Sequence, residues 1–155
     1  MKENYIKAFF TGIFALISSV LGVLAVPVLL MVACNVLDYI TGLMASTYRS
    51  QDINSYMSIR GIMKKVCMWL LVVVGAVIDQ LILYASQTAN ITLPFTFLVA
   101  CIVAIWIICN EIISILENIK DMGVAIPAFL LPIVEHVKSQ VEEKADIDNN
   151  DAEDE

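Results

Sequence analysis

The chain has 155 residues, is 59% hydrophobic and carries a formal net charge of -7. A soluble domain of this size could not hide so much apolar surface, and no separate soluble domain is expected. The charge sits entirely in residues 141–155, which hold eight acids and one lysine, so the body is neutral and nucleic acid is not an expected partner.

In chain order, the first apolar run follows Lys7 and continues for about 30 residues, well past the 7–15 of a signal-peptide core, so a cleaved signal is not expected. Roughly 20 apolar residues at about 1.5 Å each cross a hydrocarbon core of about 30 Å. On that basis the spans fall at about 8–26, 28–47, 66–85 and 91–110. Pro27, with no amide donor and a restricting effect on its predecessor, is the expected break between the first two. One long kinked helix, giving three spans, is the alternative.

Basic flanks stay on the cytoplasmic side of a bilayer. Lys2 and Lys7 precede the first span, Arg49, Arg60, Lys64 and Lys65 separate the second from the third, and Ser86 to Asn90 carries no charge. Four spans keep both termini and the basic loop inside. After Asn110, the polar positions Glu111, Ser114, Glu117/Asn118 and Asp121 share one helical face, which predicts that the helix leaves the membrane there and stops at Gly123. The expected architecture is all-α. Residues 1–122 form a transmembrane bundle of about four helices, 123–144 a cytoplasmic amphipathic segment, and 145–155 a disordered acidic tail.

The chemistry-bearing residues lie inside these spans. Asn35, Asp38, Thr41/Gly42 and Ala45 share one face of the second span, amid Leu, Val, Ile and Met. A carboxylate near a span centre costs about 2.5–3.5 kcal/mol on the insertion scale, and each large aliphatic residue returns about 0.3–0.6. The second span is near break-even alone and needs neighbours. The third span offers Gly75 and Asp79, one turn apart, with Ser86 beyond. The fourth ends in Asn110, Glu111 and Ser114. On the first span Ala8, Gly12, Ala15, Ser19 and Gly22 form a small-residue stripe suited to close helix approach. Two readings stay open. Buried acids pair with Arg60, Lys64 or Lys65 and fix the fold, or the polar faces line water. Cys34, Cys67, Cys101 and Cys109 match no zinc spacing and read as buried thiols. His136 reads as a solvated surface residue. No catalytic residue, metal or cofactor is expected.

Four pieces occur in order: "LDYITG" (Leu37 to Gly42), "SIRGIMKK" (Ser58 to Lys65), "VIDQL" (Val77 to Leu81) and "NEIISILENIKDMGVAIP" (Asn110 to Pro127). Together they resemble the phage lysis and toxin-secretion holin family, which includes the holin encoded beside clostridial toxin genes. The resemblance runs from about residue 30 to residue 135 and leaves out the first span and the tail. It implies a non-enzymatic protein of the bacterial (host) cytoplasmic membrane. Such a protein assembles with itself in the bilayer into holes that collapse the membrane potential. Endolysin or toxin is only the released cargo, and an antiholin is a possible partner. An antiholin, a small proton-coupled transporter and a membrane adaptor docking through its acidic tail are the rival classes. The essential acid of small multidrug transporters lies in the first span, where this chain has none. Tail deletion would abolish an adaptor and only tune a holin.

Overall fold

A computed structural model describes residues 2–49, 55–92 and 98–145; for residues 2, 3, 13, 14, 16–21 and 55–58 it describes the backbone only. These residues form helices α1 (Lys2–Leu21), α2 (Ala25–Tyr48), α3 (Ser55–Thr88), α4 (Leu98–Asp121) and α5 (Leu130–Ala145), with a 3-10 turn, Gly22–Leu24, between α1 and α2. No strand occurs among the described residues. Three segments among them are long and apolar enough to cross a membrane: Gly22–Tyr48, Ile59–Thr88 and Leu98–Asp121.

The break in the first apolar run lies earlier than Pro27. Gly22 takes φ +53°, a left-handed conformation that glycine adopts without penalty, and turns the chain there. Pro27 sits in the first turn of α2, where a missing amide donor leaves no helical bond unmade. α1 makes its contacts with the 3-10 turn and α2, and its described side chains, from Asn4 to Gly12 and at Ala15, are exposed.

The later spans also shift. α3 runs on through Ser86 to Thr88 and ends at Asn90, whose φ is 55°. α4 begins at Leu98 rather than near residue 91 and continues unbroken past Asn110 to Asp121. Its polar face beyond Asn110, expected to meet water, packs against α2. The stop at Gly123 is as expected, with φ +81° just beyond the helix.

α4 is the centre of the bundle and packs against α2, α3 and α5. Leu24, Met31, Val72, Ala100, Ala104 and Ile107 form the buried core. Where α3 crosses α4, a Cβ on Gly75 would stand 2.9 Å from Ala100 Cα, so the two backbones meet with no room for a side chain. Most large apolar side chains of α2 and α3, among them Leu37, Leu70, Val73, Val77 and Leu81, point outward. That is the arrangement of helices whose outer faces meet lipid.

Candidate functional site

Near the C-terminal ends of α2 and α4 and the N-terminal part of α3, polar groups gather inside the bundle. Lys65 of α3 donates to the Asp38 carboxylate of α2 at 2.8 Å and also to the Glu111 carboxylate of α4. One ammonium therefore ties three spans. All three side chains are largely buried, with side-chain exposures of 18% for Lys65, 15% for Asp38 and 5% for Glu111. Asn118, one helical face further along α4, donates to Asp38 Oδ1 at 3.2 Å and to Thr41 Oγ1 at 3.3 Å. Thr41 in turn donates back along its own helix, 2.9 Å from the Leu37 carbonyl oxygen. Gly42 lies opposite Asn118, whose amide nitrogen would be 3.5 Å from a Cβ at that position. At the edge of this layer Arg49 contacts Asn118 Oδ1 at 3.4 Å and pairs with the Asp121 carboxylate.

The layer carries two carboxylates on one lysine, with a separate pair, Arg49–Asp121, at its edge. Burial of charge is tolerated only with pairing and hydrogen bonds, and removing one partner is far costlier than the pair is stabilising. This layer is a cross-link between helices in an environment that gives charges no other partners.

The other expected polar residues go elsewhere. Asn35 is buried and donates to the Met31 carbonyl oxygen at 2.7 Å, while its own Oδ1 is buried without a partner. Asn110 donates to the Trp106 carbonyl oxygen at 2.8 Å, a bond within its own helix. Ser114 is half-buried. Asp79 is not brought to the Asp38 layer; it lies about 21 Å further along α3 at about 1.5 Å per residue. There its two oxygens accept the backbone N–H groups of Val99 and Ala100, each at 2.9 Å. These are amides at the start of α4, which lack partners within their own helix and attract negative charge. Asp79 thus caps the neighbouring helix. Arg60 and Lys64 are exposed beside Lys65. Of the small-residue stripe, Gly12 and Gly22 have nothing within 4 Å of an added Cβ, Ala8 and Ala15 are exposed, and the Ser19 side chain is outside the described set.

The profile of the bacteriophage holin family matches residues 15–139, four-fifths of the chain. This chain belongs to the bacteriophage holin family. A probable holin of Bacillus phage phi105 is 28% identical over 123 residues, covering 79% of this chain and 82% of that one. An uncharacterised Listeria monocytogenes protein is 35% identical over 149 residues, 94% of this chain and 98% of its own. An uncharacterised 14.9 kDa Clostridium perfringens protein, from the region 3′ of nagH, is 30% identical over 124 residues, 80% and 86% of the two chains. No solved structure matches. The holin-family assignment and three apolar helices together make this a membrane protein.

Several participants escape a reading from composition. Asn118 and Asp121 lie on the polar face the sequence marks, but their partners Asp38, Thr41 and Arg49 come from α2, about 70 to 80 positions earlier. Ala100, which lets Gly75 approach, and Ala104 in the same buried core carry a small-xxx-small signal that the sequence does offer. The contact between Trp106 and Glu142 carries no local signal at all.

Proposed function

We propose that this holin-family chain forms holes in the bacterial cytoplasmic membrane by assembling with copies of itself, collapsing the membrane potential and releasing an endolysin or a toxin. The observation that carries this reading is the Lys65 bridge to Asp38 and Glu111 in a chain of that family. It gives each copy a body of three spans that can move as a unit. The outward apolar side chains offer that body to lipid or to another copy. The proposed topology keeps Arg60 and Lys64 at the anionic inner leaflet, where each basic residue contributes about 1 kcal/mol near the surface. It places the N-terminus in the cytoplasm, with α1 as a further crossing outside the three-span body.

The test is inducible expression in a bacterium, following culture density and membrane potential. The expected course is normal growth, then an abrupt loss of potential, with lysis only when an endolysin is co-expressed. Sustained potential with the protein in the membrane would defeat the reading. A second reading has one observation in its favour: Asp38 and Glu111 are already paired with a lysine within a single chain. That suits an antiholin, which stays closed. Co-expression with an active holin separates the two, since an antiholin delays lysis and a holin advances it.

A further inference from the structure

α5 is the part of the fold that its sequence explains least well. It is amphipathic and follows a short connection from Gly123 to Phe129, which would let it lie flat on the inner membrane surface. Instead it folds back along α4. Trp106 Nε1–H donates to Glu142 Oε1 at 2.8 Å, and Lys138 Nζ stands 5.6 Å from the centre of the Trp106 ring. Val141, Glu142 and Ala145 share with Val99, Ile102 and Val103 the wall of a cavity of about 630 Å³.

Depth makes this placement informative. Glu111 belongs to the polar layer, Trp106 lies deeper in the span, and Ile102 and Val99 deeper still, at the level that Asp79 caps. The second half of α5 therefore runs beside the apolar part of α4. Leu130, Leu131, Val134, Lys138 and Val141 are half-buried against the bundle, whereas Ser139, Gln140, Glu143 and Lys144 are exposed. An exposed carboxylate and ammonium at that depth cannot face hydrocarbon; intramembrane charges face a bundle interior or a water-filled cavity. Among the described residues no bundle interior lies on that side of α5, which leaves water.

We propose that α5 is part of the membrane-embedded body, and that its face bearing Ser139, Gln140 and Glu143 lines the aqueous lumen formed between copies of this chain. The inference rests on the hole-forming reading above and names the surface that meets the lumen. The Asp38 layer then stays closed within each copy, and the hole opens between copies.

The experiment uses full-length protein, its four cysteines replaced by alanine, in phosphatidylethanolamine–phosphatidylglycerol vesicles loaded with a fluorescent dye. A Trp106→Cys/Glu142→Cys pair is treated with a short bismaleimide to report docking. In a separate variant, a nitroxide on Gln140→Cys is tested for collision with a water-soluble nickel complex and with oxygen, which favours lipid. The expected result is dye release, efficient intramolecular cross-linking and a label reached several-fold better by nickel than by oxygen. Cross-linking with a label that favours oxygen overturns the inference, because the face then meets lipid. Dye release without cross-linking also overturns it, because α5 then lies on the surface while the hole-forming reading stands. Absence of dye release from the parent protein defeats the hole-forming reading itself.

Discussion

Two aspartates sit within the apolar segments of α2 and α3, and they are held by different physics. Asp38 is balanced by a side chain: Lys65 crosses from another helix and shares its charge with Glu111. Asp79 is balanced by backbone: two amides at the start of α4 point at its oxygens. The first arrangement is a network of three ionisable groups on three helices, and losing one strands the others. The second is a single group against fixed dipoles, and its neighbours are never charged. An acidic residue in a membrane span therefore has no single meaning; its partner decides whether it is a clasp or a cap.

The largest expected effect comes from removing the clasp. Lys65→Met leaves Asp38 and Glu111 buried without a cation and should cost about 3–5 kcal/mol, the range for breaking a buried pair. Thermal unfolding in detergent and the amount of protein in membranes would read it. The contrast sharpens with Lys65→Met/Asp38→Asn/Glu111→Gln, in which no charge is stranded. Most of the stability should return, and if it does not, the layer does more than neutralise charge.

Gly75→Leu comes next. It forces a side chain where even a Cβ would be 2.9 Å from Ala100 Cα, and overpacking of this kind costs about 1–3 kcal/mol. It should also separate α3 from α4 and weaken the Asp79 cap, which hydrogen exchange at Val99 and Ala100 would detect. Asp79→Ala itself should cost about 0.5–2 kcal/mol, as loss of a helix cap does, and Asp79→Asn less. An Asp79→Ala loss as large as that of Lys65→Met would erase the distinction between the two sites. Gly12→Ala is expected to stabilise a single chain by about 0.5–1 kcal/mol, because a helix interior favours alanine over glycine and nothing lies within 4 Å of that Cβ. A shift in the oligomer distribution of this variant would instead place α1 between copies.

The same comparison shows what the sequence makes legible. The helical class and the positions of Asp38, Glu111 and the stop at Gly123 are readable because they depend on local periodicity and on one helix end. The three apolar segments are readable from length alone, but their limits are not. That the polar face of α4 turns inward, Glu111 to Lys65 of α3 and Asn118 to Asp38 of α2, is information no local rule carries. Asp79 looks like Asp38 in sequence, an acid amid aliphatic residues. Its role depends on the position of a helix start some twenty residues later. Lys65 is one of three basic candidates within six positions, and only the facing of α3 selects it over Arg60 and Lys64.

The position of Lys65 on α3 carries one more consequence. From Val66 to Ala85 the helix has about 20 residues, close to one bilayer core of about 30 Å. The apolar segment of α3 is longer than that, Ile59–Thr88, so where the bilayer seats along it sets how deep Lys65 lies. Bilayer thickness thus becomes a variable of the protein. A thinner bilayer would let water reach Lys65 and loosen its hold on Asp38 and Glu111. A thicker one would submerge the three groups and tighten it. Lipid acyl length should therefore set how firmly α2, α3 and α4 are joined.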